Sequence, residues 1–208
     1  MIIQAKNLTH YYHNDLALDH VNFEAKEGEF IALVGESGSG KSTLLSILSS
    51  LLKPTDGELF YQGTPYANIR NIDAFRQSEI GFIFQFHYLI SYLSVQENIA
   101  LAAKALDHSY LDLLLNECAI AAIASKYPDE ISGGQRQRAA IVRALINRPK
   151  IVFADEPTGN LDSKNSQNIY ELFKKLSQQG TTLIVATHDI KLAQYADKII
   201  EVKDGKIL

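Results

Sequence analysis

An apolar run, Phe30–Val34, stops at Gly35, and an apolar helical stretch extends from Lys41 to Leu52. The residues at the junction are Gly35, Glu36, Ser37, Gly38, Ser39, Gly40, Lys41, Ser42 and Thr43, a complete match to G-x-x-x-x-G-K-[ST]. Strand, glycine loop and helix in that order constrain the fold more than any other segment. Glycines let the backbone amides turn inward around an anion at the start of a helix. The amides would wrap phosphate oxygens, Lys41 would reach the β- and γ-phosphates, and the Ser42 hydroxyl would ligate Mg²⁺. The loop implies a bound nucleoside triphosphate and leaves the type of enzyme open.

The rest of the chain supplies the frame for such a loop. Ile2–Lys6 and Ala17–Phe23 carry apolar residues near period two and read as β-structure. Pro54 and Asp56-Gly57 close the first helix and turn the chain into a strand at Glu58–Tyr61. Ile80–Phe84, Ile151–Ala154 and Leu183–Ala186 are short continuous apolar strands, and Ile199–Val202 with Lys206–Leu208 flank a hairpin turn at Asp204-Gly205. From Ser94 to Asn147 the chain reads as helical. Ser94 with Glu97 is a capping-box signature, and Ser109 with Asp112 is a weaker one. Ile169, Leu172, Phe173 and Leu176 form the stripe of an amphipathic helix stopped by Gly180. Strands alternating with helices predict an α/β core with a mainly parallel sheet, and the all-helical stretch reads as an insertion.

Other residues carry chemistry in their own right. Ser132-Gly133-Gly134-Gln135 is a second glycine-rich element opening a helix, hence a second anion site. One chain with one nucleotide has no obvious use for it; two copies facing each other do. Asp155 and Glu156 end the run Ile-Val-Phe-Ala. The aspartate suits Mg²⁺, and the glutamate suits a general base acting on water. Alternation of side chains at a strand end is the expected reason for their separate duties. Gln85 can ligate Mg²⁺ and sense the γ-phosphate, although a polar residue after a strand is commonplace. His188 can donate to the γ-phosphate or orient Glu156 and water, although a lone histidine is usually structural. Either Tyr11 or Tyr12 offers a face for adenine, and either suits sheet packing equally. Arg136, Arg138, Arg143 and Arg148 read as a solvated helix face with charge favourable to the helix C-terminus.

Composition excludes several classes. The formal charge is −4, from 20 basic and 24 acidic residues, which argues against a general nucleic-acid binder. Cys118 is the sole cysteine, so no internal disulfide forms, in keeping with a reducing compartment. No signal peptide or lipidation motif is visible, and no apolar run approaches the roughly 20 residues that span a bilayer. A membrane role is expected to come through a partner.

In their order along the chain these elements resemble the ATP-binding-cassette (ABC) ATPases, over essentially its whole length. The resemblance assigns Tyr12 to adenine stacking, residues 35–43 to Walker A, Gln85 to the Q-loop and residues 131–135 to the signature. Walker B falls at 151–156, the D-loop at Gly159-Asn160-Leu161-Asp162, and the switch histidine at His188. Ile131 stands where the signature usually begins with leucine. The implied fold is α/β: a single domain over 1–208 with a P-loop NTPase core and mainly parallel sheet (about 1–85 and 149–208), an N-terminal antiparallel β subdomain, and an inserted α-helical subdomain at 86–148.

The segments 81–90, 96–99 and 154–162 are similar to the branch holding lipoprotein-releasing, macrolide-export and cell-division ATPases. Phe86-His87 is nearest the lipoprotein-releasing type, while the stretch from 100 to 130 is shorter than usual. The resemblance implies an ATPase using ATP and Mg²⁺ (Ser42, Gln85, Asp155) in an ATP-dependent head-to-tail dimer. Lys41, Gln85, Glu156 and His188 would be catalytic. Ser132, Gly133, Gly134, Gln135 and Asp162 would act across the dimer. A membrane permease would dock near 86–130, placing the protein peripherally on the cytoplasmic face of a bacterial inner membrane, with no nucleic-acid partner. An ATP-driven regulator of a cell-wall complex is the first alternative reading. A soluble repair or translation ATPase is the second, opposed by the negative charge and the absence of a long coiled coil or second cassette.

Overall fold

The computed structural model describes residues 1–208. Its elements are β1 (Ile3–Tyr12), β2 (Asp15–Ala25), β3 (Phe30–Val34), α1 (Lys41–Leu48), β4 (Asp56–Tyr61), β5 (Thr64–Pro65), α2 (Ile72–Glu79), β6 (Ile80–Ile83), α3 (Val95–Ala100), α4 (His108–Glu117), α5 (Gly133–Leu145), β7 (Ile151–Asp155), α6 (Ser163–Gln178), β8 (Thr182–Ala186), α7 (Ile190–Ala193), β9 (Lys198–Lys203) and β10 (Lys206–Ile207). Four strands form an antiparallel sheet in the order β2-β1-β4-β5, and six form a second sheet in the order β10-β9-β3-β8-β7-β6. Within the second, β9, β3, β8, β7 and β6 run parallel and only β10 is reversed.

The parallel strands read as unbroken apolar runs because both faces of their sheet are covered. Along β7, Ile151 and Phe153 enter one core with α1 and the antiparallel sheet, while Val152 and Ala154 enter the other with α5 and α6. The helical insertion has no core of its own. Leu111, Leu114 and Ile131 pack in the same cluster as Phe173 and Val185.

Register fixes the site. Leu33 of β3 lies beside Ala186 of β8, Ala186 beside Asp155 of β7, and Ile83 of β6 beside Ala154. The carboxyl ends of these strands are therefore level, and their following loops converge on the edge where open α/β sheets bind ligands.

Several expected boundaries move. The first helix ends at Leu48, not Leu52, because Ser50 takes a left-handed φ of 64°. Carbonyls freed there are met by the Tyr66 hydroxyl on Leu48 O and by Arg76 on Ser50 O. Asp56-Gly57 begins β4 instead of forming a turn. The expected short strand at Ile2–Lys6 continues to Tyr12 through register shifts that destroy its period. Helix α2, capped by the Asn71 side chain, is an element that the sequence analysis does not mark. The stretch 94–147 is three helices separated by loops and single 3₁₀ turns. The Ser94–Glu97 capping box forms. The Ser109–Asp112 box does not: Asp107 caps α4, held in place by Arg148 at 2.8 Å.

Candidate functional site

The loops after β3, β6, β7 and β8, joined by the β1–β2 end, enclose a cleft of about 560 Å³. It is lined by Tyr12, Ala17, Gly35, Ser37, Gly38, Gly40, Lys41, Ser42, Thr43, Gln85, Asp155, Glu156 and His188. Twelve of these thirteen were singled out in the sequence; Ala17 was not.

Gly40 sets the entry to α1. Its φ is 106°, and a Cβ there would stand 2.8 Å from Ala17 O, so the helix N-terminus sits directly under β2. Lys41 is buried, with Nζ donating to Gly35 O and Glu36 O at 2.8 Å each. The loop thereby folds around its own lysine. Glu36 and Ser39 do not line the main cleft. They face residues 201–204 on the far side of the loop, where Gly205 N donates to Ser39 O at 2.9 Å.

Asp155 and Glu156 differ in backbone conformation, not through strand alternation as expected. Asp155 is the last residue of β7, and burial raises its pKa against the opposing effects of the Ser42 hydrogen bond and Lys41. Glu156 has left the strand with φ 47°, its N–H donating to Ala186 O at 2.9 Å. That turn aims its carboxylate at the loop after β8. Thr187 Oγ1 donates to it at 3.2 Å, His188 N at 3.1 Å, and His188 Nδ1 lies 2.8 Å from Oε1. Thr187 is a partner the sequence reading missed, although it precedes His188 directly.

Ser42 hydrogen-bonds Asp155, and Gln85, whose amide offers an oxygen, lines the same cleft. A hydroxyl, an amide oxygen and a carboxylate suit a hard cation such as Mg²⁺. Between the two tyrosines, Tyr12 is the one at the cleft, with its ring set edge-on against His10 at 4.8 Å, and Tyr11 is outside it.

Ser132, Gly133, Gly134, Gln135 and Asp162 are absent from the cleft lining. Ser132 caps α5 reciprocally: Gln135 N donates to Ser132 Oγ at 3.3 Å, and Ser132 N donates to Gln135 Oε1 at 2.8 Å. The first amides of the helix, at Gly133 and Gly134, have no partner within it. Ser132 and Gly133 are exposed, and a Cβ on Gly133 would meet nothing within 4 Å. Asp162 caps α6 through Asn165 N at 2.9 Å.

The expected solvated arginine face is wrong for two of its members. Arg138 is buried, and its guanidinium donates to Cys118 O, Ala119 O and Asn165 Oδ1. Arg143 donates to His87 O and Tyr88 O at 2.7 Å each, fixing the loop that follows Gln85. Helical phase carried the warning: Arg138 shares a face with Val142 and Leu145, both buried. Beside Arg143 lies a second concavity of about 590 Å³, lined by Phe82, Phe84, Tyr88, Ala102 and Asn147 among others, with Phe86 and Tyr88 exposed nearby.

A family profile described as "ABC transporter" matches residues 18–159. The chain is 39% identical over 215 residues to the lipoprotein-releasing system ATP-binding protein LolD of Aquifex aeolicus, covering all of this chain and 96% of that protein. It is 40% identical over 220 residues to a putative hemin import ATP-binding protein, HrtA, of Staphylococcus haemolyticus, covering all of this chain and 99% of the relative. Among solved structures, the ABC transporter cassette MJ0796 in dimeric form superposes with a TM-score of 0.93 at 39% identity, over 99% of this chain and 96% of that one. The same cassette in a post-hydrolysis state bound to ADP and Pi gives a TM-score of 0.92 at 38% identity, with the same coverage.

Proposed function

The chain belongs to the family of ABC transporter ATPases, and from that premise we propose how its residues divide the work of binding and hydrolysing ATP. The observation that carries the proposal is the separation of two anion-binding helix N-termini. One lies inside the cleft, and the other begins at Ser132 and Gly133, which are exposed and absent from the cleft lining. Two copies packed head to tail bring each signature to the other's Walker A loop.

In that arrangement Tyr12 stacks on adenine, and the amides of residues 35–43 hold the phosphates. Lys41 exchanges its two backbone carbonyls for β- and γ-phosphate oxygens. Ser42, Gln85 and Asp155 would hold Mg²⁺, whose charge offsets that developing on the phosphates. Glu156 accepts a proton from the attacking water. His188 and Thr187 keep the Glu156 carboxylate in its orientation. Ser132 Oγ and the amides of Gly133 and Gly134 close over the γ-phosphate from the second copy, with Gln135 fixing Ser132 and Asp162 meeting the partner's loop. Stabilisation of developing charge by fixed donors is the largest expected contribution.

No helix is long and apolar enough to cross a membrane, so force reaches the membrane through contact. The aromatic concavity at Phe82, Phe84 and Tyr88, next to Gln85 and within reach of the 86–130 insertion, suits an amphipathic helix of a permease. This seats the protein peripherally on the cytoplasmic face. The likeness to LolD supports lipoprotein release as the transport task.

The test is Glu156→Gln. Loss of a general base typically costs about 10²–10⁴ in rate, so this variant should bind ATP, turn over at least about a hundredfold slower, and accumulate as a dimer in sedimentation experiments. Undiminished turnover would remove Glu156 as the base. A slow variant that stays monomeric in ATP would remove the composite site.

A further inference from the structure

The two segments offered to the second copy are tied together by a buried arginine. Arg138, in the second turn of α5, has no carboxylate partner among its hydrogen bonds. Its Nη1 donates to Cys118 O at 3.0 Å, Ala119 O at 3.1 Å and Asn165 Oδ1 at 2.9 Å, and its Nε reaches Gly134 O at 3.4 Å. Asn165 passes the link onward, donating from N to Asp162 Oδ1 at 2.9 Å and from Nδ2 to Asp162 Oδ2 at 2.7 Å. An unbroken series of polar contacts therefore runs from Gly134 of the signature through Arg138 and Asn165 to Asp162 of the D-loop.

A second observation is independent of these hydrogen bonds. A Cβ on Gly134 would stand 3.0 Å from Asn160 O and 3.3 Å from Leu161 Cδ2. The signature helix and the D-loop of one chain thus abut at backbone distance. Gly134 permits the approach, and Arg138 with Asn165 holds it. A buried guanidinium is costly to desolvate, and here Nη1 serves Cys118 O, Ala119 O and Asn165 Oδ1 while Nε turns to Gly134 O. Such a group at this junction fixes the two loops in one register.

We propose that Arg138 and Asn165 are positioning residues that lock the signature (Ser132–Gly134) and the D-loop (Gly159–Asp162) of one chain into a single surface, setting the register in which both meet the nucleotide of a second copy. This rests on the composite-site reading above. Neither side chain touches nucleotide. They act by keeping the Ser132 hydroxyl and the Asp162 carboxylate at a fixed separation, so that one docking event satisfies both.

The experiment compares Glu156→Gln with Glu156→Gln carrying Arg138→Lys, and separately with Glu156→Gln carrying Asn165→Ala. Lysine keeps the positive charge, but its single nitrogen ends one bond short of the Nη1 position and cannot reproduce the contacts that Nη1 and Nε make together. Asn165→Ala cuts the same link from its partly exposed side, guarding against a misfolded arginine variant. Affinity for a fluorescent ATP analogue is read on the monomer at low protein concentration, and the ATP-dependent dimer constant by sedimentation. Losing a charge-assisted hydrogen bond should weaken dimerisation by about tenfold in both double variants, with monomer affinity within about twofold. Monomer affinity is the readout that a general structural defect would lower as well. Equal dimerisation in all three proteins overturns the role of Arg138 and Asn165 and leaves the composite site standing. A parallel fall in monomer affinity assigns them to stability and also overturns it. Failure of Glu156→Gln itself to dimerise overturns the composite site and this inference with it.

Discussion

The Walker A loop and the signature are both glycine-rich helix starts, yet the chain treats them in opposite ways. The first is enclosed: Gly40 is pressed against Ala17 O, and Lys41 is buried under loop carbonyls. The second is bare: Ser132 and Gly133 are exposed, and Gly133 has open space where a side chain would go. A glycine in a helix costs about 0.5–1 kcal/mol relative to alanine. Gly40 escapes it as a left-handed N-cap outside the helix, where the chain's own backbone requires glycine; Gly133 lies inside its helix, and nothing within the chain accounts for the cost there. On the proposed head-to-tail arrangement, the difference teaches that one anion site is finished by folding and the other by association.

The comparison can be broken most severely at its enclosed end. Gly40→Ala puts a side chain at a positive φ and into a backbone oxygen, and such strain costs of order 1–3 kcal/mol with the clash added. A lower melting temperature and loss of ATP binding by the monomer are expected. Retention of both would mean the loop is not held as described. At the bare end, Gly133→Ala should melt at or slightly above the parent temperature and bind ATP normally as a monomer. Its hydrolysis should nevertheless fall by about tenfold or more, because the new methyl obstructs the partner's phosphate and disturbs an amide donor. Full hydrolysis by this variant would show that nothing approaches Gly133.

Smaller effects sharpen the contrast. Tyr12→Ala should weaken ATP binding by about tenfold, the usual scale for loss of a base-stacking aromatic, and Tyr11→Ala should leave it unchanged in the same titration. Cys118 reports on the helices behind the signature. Burial pushes its thiol from 9.0 up to about 12, so the protonated form persists in the folded chain where an unfolded chain would already ionise. This group's share of stability is complete below pH 9.0 and is lost as pH rises through about 12. Alkylation of Cys118 at pH 8 should therefore be slow and limited by local opening, and it should accelerate in Arg138→Lys, which loosens the link from the α4 end to Asn165.

Much of this was legible in the residues, for identifiable reasons. The apolar strands at 30–34, 151–154 and 183–186 stand out because both sheet faces are covered, and each leads into a loop or strand end that lines the cleft. Strand β1 was half hidden because its bulges break the alternation that sequence reading depends on. Helix α2 was missed because it buries no residue fully. The site was harder where backbone, not side-chain type, decides. Nothing in Asp155-Glu156 says that the second carboxylate takes a left-handed turn towards Thr187 and His188. The arginines of α5 read as solvated from their charge, but helical phase turns Arg138 and Arg143 inward, where they hold neighbouring loops.

The shared core of the helical insertion bears on how such proteins diversify. Leu111, Leu114 and Ile131 have their apolar partners on α6 and the sheet, among them Ile169, Phe173 and Val185. A lobe transplanted from a relative by cutting near 86 and 148 would arrive with its hydrophobic side shaped for a different α6. Grafts of the lobe must carry the matching α6 face as well. Drift in the lobe is tied to compensating drift nearly 60 residues downstream, and new specificities should emerge as paired changes across that seam.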